Sequence, residues 1–469
     1  MKKLKFPKGF LWGGSTSAYQ FEGGVNQGGK GLSVQDKNKD NWMPGVTGFE
    51  VCSDHYNNWK TDVKMLAELG FKSYRFSIAW SRIIPDGDGN INKEGINFYK
   101  NLILELKKYN IEPVVTMYHF DLPLALEKKG GWLSRNTVDA FEKFARAIFN
   151  EYKDLVKYWL TINEQNIVVL MSDVIGMANT HSTGNKIKDK WQINHNLLLA
   201  QAKAVIACKE ICKNALIGPA PNISVTYPNS NKPLDFLAKL DFDMERNWVY
   251  LDVGVKGVYP NVFLRKLEKL NSMFDYEKND MKILKKGTAD FIAFNYYNSA
   301  TIKYKQAHTN NLEIKKDQQS GLVGDTYEKV RNKNLPLTEF NWEIDPEGLR
   351  NTLRDIHERY GLPLMITENG IGGYDTLTEQ GTINDDYRIK YYQAHITQMA
   401  LAIDDGVELI GYMPWSAIDL VSTHEGVKKR YGFIFVNRDE FDLKDMKRYK
   451  KKSFFWYQNV IKTNGENLS

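Results

Sequence analysis

The sequence predicts an α/β protein, a single (β/α)8 barrel with long βα loops, and three observations carry that expectation. Eight short runs rich in apolar and β-branched residues recur along the 469-residue chain, each followed by a helical stripe or a long loop, as parallel strands wrapped by helices require. Several runs end on a residue able to do chemistry: Arg75, His119, Asn163 with Glu164, Asn295 and Glu368. The first turn lacks the glycine spacing of a doubly wound, phosphate-binding sheet. No linker or composition shift divides residues 1–469, so one catalytic domain is expected.

In chain order, the first strand is Phe10-Leu11-Trp12-Gly13-Gly14-Ser15, with Gln20 and Glu22 in the loop beyond it. Trp59, Val63, Leu66 and Leu69 form a helical stripe that Gly70 stops. Residues 73–78 alternate as a strand carrying Arg75, and Ile96, Tyr99, Leu102, Ile103 and Leu106 mark the next helix, closed at Asn110. The third strand, 113–118, delivers His119, and Ser134 opens a helix whose buried face runs from Val138 to Tyr152. The fourth, 156–162, ends in Asn163-Glu164, with a helix expected over 194–212. A weaker strand at 215–219 precedes a segment, 222–259, that shows no clear period. Strand six, 291–294, leads to Asn295-Tyr296-Tyr297, and a polar insertion fills about 301–341. A helix over 346–360 ends at Gly361, strand seven is 363–368, a helix covers 385–404, and strand eight is 409–415.

Composition narrows the function. A net charge of +6 spread over 469 residues, with short lysine clusters such as 447–452 read as solvated surface, gives no nucleic-acid stripe. Three cysteines without a C-x-x-C pair argue against disulfide and zinc frameworks and fit a reducing compartment. Pro7 and Gly9 interrupt any apolar leader and no run is long enough to span a membrane. A cytoplasmic protein is therefore expected, with a homo-oligomer left open. The 11 tryptophans suit sugar faces, although core packing explains any single one as well.

A barrel gathers its strand ends on one face, so Gln20, Arg75, His119, Asn163, Glu164, Asn295, Tyr297, Glu368 and Trp415 are expected to share a pocket. Two glutamates across a pocket can split a glycosidic bond, one protonating the leaving oxygen while the other attacks the anomeric carbon or activates water. A separation of about 5 Å implies a covalent intermediate and retained stereochemistry. Arg75 and the Tyr297 hydroxyl are expected to keep Glu368 ionised, and Glu164, beside the neutral amide of Asn163, to stay protonated. A silent sugar-binding barrel would lack one glutamate. A Schiff-base aldolase would need a lysine at a strand end, which none of the eight runs offers.

Thr161-Ile162-Asn163-Glu164 and Ile366-Thr367-Glu368-Asn369-Gly370 resemble the acid/base and nucleophile motifs of the family 1 glycoside hydrolases, retaining β-glycosidases on a (β/α)8 barrel. The resemblance extends to residues 10–13, 17–23 and 75–82, to His119 with Asp121-Leu122-Pro123, to 295–297 and to Trp415-Ser416. It implies Glu164 as acid/base and Glu368 as nucleophile, Arg75 and Tyr297 holding the nucleophile, and Gln20, His119, Asn163, Asn295 and Trp415 around the sugar. No cofactor or metal is implied, and His424 with Glu425 lacks the further ligands a metal would need. Phe120 stands where many members have Trp. Trp342 is a candidate for the aglycone side.

After Asp419, where ordinary β-glucosidases place a Glu-Trp pair, this chain has Ser422-Thr423. Ser422, Lys429 and Tyr431 look like the phosphate clamp of the 6-phospho-β-glycosidase branch: donors and a cation suit an anion at carbon 6, which a carboxylate would repel. Lys428 is read as solvated. Thr423, where the branch's galactosidases resemble ordinary members in keeping Trp, favours a 6-phospho-β-glucoside over the galactoside. The resemblance thus implies a small phosphorylated β-glucoside as substrate, made during uptake by a sugar phosphotransferase system; a non-phosphorylated β-glucosidase is the further alternative.

Overall fold

The computed structural model describes residues 5–37, 45–171, 181–305 and 326–469. Eight parallel strands form the barrel: β1 (Leu11–Ser15), β2 (Ser73–Ser77), β3 (Glu112–Tyr118), β4 (Tyr158–Asn163), β5 (Leu216–Ala220), β6 (Ile292–Asn295), β7 (Leu364–Glu368) and β8 (Leu409–Tyr412). Their pairing order is 5-4-3-2-1-8-7-6. The remaining seam closes through the amide of Asp290 donating to Ile217 and that of Asn295 to Pro221, both at 2.9 Å. Gly218 makes that closure possible, since a Cβ there would lie 2.3 Å from the Phe291 carbonyl.

The strands bury both faces. Val114, Leu160, Ala220, Phe291, Ala293, Met365 and Met413 fill the barrel interior. Alternate residues such as Trp159, Ile292, Leu364 and Ile366 pack outward against the helices. Those helices include α1 (His55–Leu69), α2 (Lys93–Lys108), α3 (Arg135–Tyr152), α4 (Lys186–Ile211), α5 (Pro346–Tyr360), α6 (Asp386–Asp404) and α7 (Lys452–Lys462). The boundary residues behave as their chemistry dictates. Gly70 ends α1 at φ 94° and Gly361 ends α5 at φ 64°, while the Asp345 carboxylate accepts from the Gly348 amide at 2.8 Å to open α5.

Three departures from expectation have physical causes. Helix α4 begins eight residues before Asn194, because the Asn185 side chain caps it by accepting from the Lys188 amide at 3.0 Å, and the charged turn that follows hides the apolar stripe. The segment 222–259 holds a helix, Pro233–Asp243, that runs into two π-helical stretches, Met244–Trp248 and Asp252–Lys256. Wider turns shift the side-chain period away from 3.6, which is why no stripe was visible. The Lys447–Lys452 cluster is not all solvated surface, since Lys451 is buried and ion-paired.

The polar insertion supplies strands Ala300–Tyr304 and Tyr327–Val330, which join Thr226–Pro228 in a small accessory sheet. Its residues 306–325 lie outside the described residues. No helix among the described residues is long and apolar enough to cross a membrane.

Candidate active site

At the C-terminal ends of β4 and β7 the pairing loses its regular register, between Leu160 and Asn163 against β5 and between Ile366 and Glu368 against β6. Such irregularities re-aim the side chains beyond them. Glu164 then takes a left-handed backbone, φ 45° and ψ 48°, and its amide donates to the Ala220 carbonyl at 2.7 Å. Both glutamates thereby face one cavity, together with Gln20, His119, Phe120, Asn163, Tyr297, Trp342, Trp415 and residues of the loop after β8.

Glu368 is held at both oxygens. Arg75 Nη1 donates to Oε1 at 2.5 Å, and the Tyr297 hydroxyl donates to Oε2 at 2.7 Å. The guanidinium is itself fixed, donating through Nε to Thr116 Oγ1 and through Nη2 to Asn163 Oδ1, both at 2.7 Å. Asn295 also donates to Asn163 Oδ1, at 3.0 Å. With its oxygen so occupied, Asn163 turns its amide nitrogen toward His119 Nε2 at 3.1 Å. The ring nitrogen there must accept, so the His119 proton sits on Nδ1. Burial and the Arg75 charge hold this imidazole well below its ordinary pKa, hence neutral. Its Nδ1 has no hydrogen-bond partner among the described residues, and the ring stacks 5.9 Å from that of Trp415. A donor for a hydroxyl is thus left at the cavity wall.

Glu164 has different company. Its Oε1 accepts from Asn222 Nδ2 at 2.7 Å and from Asn295 Nδ2 at 3.0 Å. Burial, then the charge of Glu368, push it up to about 7. Burial also raises Glu368, opposed by the charge and hydrogen bonds of Arg75 and by Tyr297 and Asn295. The groups bonded to Glu164 are neutral amides, whereas a guanidinium touches Glu368. A proton shared between the two therefore rests on Glu164. The Asn163 amide, expected to favour the protonated form, is engaged by His119 and Arg75 and has no part in this.

The structure brings together Gln20, His119, Asn163, Glu164, Tyr297, Glu368, Trp415, Ser422, Lys429 and Tyr431. Arg75 and Asn295 lie fully buried beneath the cavity, so Asn295 stands under the glutamates rather than against a bound sugar. Gln20 Nε2 donates to the Val421 carbonyl at 2.9 Å, tying the first loop to the last. Trp342 lines the same cavity, and its ring lies 3.9 Å from Lys429 Nζ, an ammonium that is also 4.3 Å from the Phe340 ring and 5.7 Å from that of Tyr431.

The loop after β8 that carries Lys429 and Tyr431 is braced from behind. Lys429 and Tyr431 line the cavity while the intervening Arg430 points the other way, as alternation along extended chain requires. Arg430 pairs with Asp419 at 3.1 Å and donates to the Val436 carbonyl at 2.8 Å. Asp419 Oδ1 accepts from the Gly432 amide at 2.9 Å and from Lys451 at 2.6 Å, and Lys451 also reaches Asp375 at 2.5 Å.

Sequence reasoning missed Asn222, Asn166 and Arg246 behind Glu164. Arg246 Nη2 donates to Asn222 Oδ1 at 2.7 Å, and Asn166 Nδ2 to the Asn222 carbonyl at 2.6 Å. Asn222 was findable, two residues past β5. Arg246 lies on the first π-helical stretch, where no period pointed to it.

The sequence model for glycosyl hydrolase family 1 matches residues 2–466. An aryl-phospho-β-D-glucosidase, BglC of Bacillus subtilis (strain 168), is 44% identical, covering 99% of this chain and 98% of its own length. A 6-phospho-β-glucosidase of Clostridium longisporum is 42% identical, covering 99% of each. Among solved structures, a β-glucosidase from Thermotoga maritima in complex with glucoimidazole superposes with a TM-score of 0.88 at 36% identity, covering 99% of this chain and 100% of that one.

Proposed function

The chain belongs to glycosyl hydrolase family 1, and within it we propose a 6-phospho-β-glucosidase that cleaves 6-phospho-β-D-glucosides to glucose 6-phosphate and the aglycone with retention. The observation that carries this reading is the meeting of Ser422, Lys429 and Tyr431 with both glutamates in one cavity. Relatives named phospho-β-glucosidases, at 44% and 42% identity, support it.

In the first step a Glu368 oxygen attacks the anomeric carbon as the bond to the aglycone oxygen breaks, and the Glu164 proton passes to that oxygen. Arg75 and Tyr297, already on Glu368, hold the attacking carboxylate in place and in charge. In the second, water loses a proton to Glu164 and attacks the anomeric carbon, breaking the ester to Glu368. Glu164 is suited to both tasks, because a carboxyl pushed up to about 7 gives and takes a proton near neutral pH. In this reading the Nδ1–H of neutral His119 donates to a sugar hydroxyl, Gln20, whose Nε2 is engaged by Val421, offers its amide oxygen, and Trp415 is an apolar wall.

At the clamp, Lys429 supplies the charge, and Ser422 and Tyr431 hydroxyl donors, for a phosphate at carbon 6. Thr423 leaves carbon 4 the space that fits a gluco rather than a galacto sugar. The whole chain acts as one catalytic domain, and a phosphorylated substrate places it in the cytoplasm.

Turnover of an aryl β-glucoside with and without a 6-phosphate tests the reading: the phosphorylated compound is hydrolysed with much the higher kcat/KM. Equal turnover of the two removes the phosphate from the specificity. The same pair of assays addresses the second reading, an unphosphorylated β-glucosidase, which the likeness to the Thermotoga maritima enzyme favours.

A further inference from the structure

The clamp contains a carboxylate of its own. Glu425 lines the cavity beside Ser422 and Lys429. Its Oε2 accepts from Ser422 Oγ at 3.4 Å and lies 3.6 Å from Lys429 Nζ. One oxygen thus engages two of the three side chains assigned to phosphate, as a phosphoryl oxygen would. The side chain holding it is about one-third exposed, whereas Lys429 is buried, so Glu425 has solvent to turn into and Lys429 does not.

The backbone around Glu425 is fixed. Ser422 and Gly426 pair at 2.9 Å and 3.3 Å in a tight turn, with Gly426 left-handed at φ 64°. Glu440 pins the far side, accepting from the amides of Val427 at 2.6 Å and Lys428 at 3.0 Å through Oε1 and from Thr47 at 3.0 Å through Oε2. Gly426 cannot be replaced without moving that acid, because a Cβ would meet Glu440 Oε2 at 2.2 Å. The turn therefore stays, while the partly exposed Glu425 side chain is at liberty to leave.

We propose that Glu425 is a specificity-determining residue: it is the resident anion of the phosphate clamp, and a 6-phosphate must displace it from Ser422 and Lys429 to bind. The inference rests on the clamp reading above. A carboxylate there accepts a hydrogen bond from an unphosphorylated 6-hydroxyl but repels a phosphate, so Glu425 narrows the preference for phosphorylated substrate that Lys429 creates.

The test uses Glu425→Gln and Glu425→Ala in the full chain, with an aryl β-glucoside and its 6-phosphate as substrates and glucose 6-phosphate as competitive inhibitor. Removing a like charge within a few ångströms is expected to raise the ratio of kcat/KM, phosphorylated over unphosphorylated, by about tenfold in both variants, and to lower the inhibition constant of glucose 6-phosphate. An unchanged or smaller ratio, with unchanged or weaker inhibition, overturns the inference while a wild-type preference for the phosphorylated compound keeps the clamp reading intact. A wild-type enzyme with no preference overturns both.

Discussion

The floor of the cavity and its clamp solve opposite problems. The floor, Arg75, Thr116, Asn163, Asn295 and Tyr297 around the two glutamates, sits on the barrel strands and just beyond their ends. Its members are all buried, and its donors are already spent on the groups they orient. The clamp rides on a loop after β8, and one of its lysine's neighbours, Glu425, can turn to solvent. Rigid donors on strands suit charge that develops in the transition state. A loop that exchanges one anion for another suits binding of a charge present from the start. Changes on the floor should therefore act on kcat, and changes in the clamp on KM.

Glu164→Gln is the harshest probe of that division. It should lower kcat roughly a thousandfold by removing the proton donor, with little effect on KM. The acid must be protonated to serve the leaving group, and it is pushed up to about 7, so kcat/KM should fall as the pH rises above that value. In the Gln variant the alkaline limb should vanish. A pH–rate profile of both forms checks it; an alkaline limb that survives unchanged assigns the titration to another group.

Lys429→Ala probes the other side. Loss of the buried cation should raise KM for phosphorylated substrate roughly thirtyfold, about 2 kcal/mol, and leave turnover of the unphosphorylated compound nearly as it was. A kcat that falls with it would merge the two regions into one. Asp419→Asn acts indirectly: with buried Arg430 and Lys451 deprived of their shared acid, the fold should lose about 3 kcal/mol of stability, and KM for the phosphorylated compound should rise less than in Lys429→Ala. Steady-state kinetics on both substrates separates this from general loosening, which would lower both.

The strand ends were more legible in the sequence than what lies between them. Strand ends announce themselves through short apolar runs, so Arg75, His119, Glu164 and Glu368 could be placed in one pocket from spacing and barrel topology. What lay outside those runs was harder. Arg246 and the start of α4 were hidden, the first by π-helical turns and the second by a charged first turn. Lys451 looked like a member of a basic surface cluster, and only the fold reveals the buried acids, Asp375 and Asp419, that hold it. Burial of a charge is decided by partners distant in sequence, and local pattern carries no trace of them.

The most direct measurement is covalent trapping with a 2-deoxy-2-fluoro-β-glucoside bearing an activated aryl leaving group, prepared with and without a 6-phosphate, followed by peptide mass spectrometry. The fluorine slows both steps and the good leaving group restores the first, so the glycosyl-enzyme accumulates. The phosphorylated reagent should label the peptide at Glu368, at concentrations where the unphosphorylated one leaves the protein unmodified. A label on Glu164, or equal labelling by both reagents, would contradict the division of labour between floor and clamp.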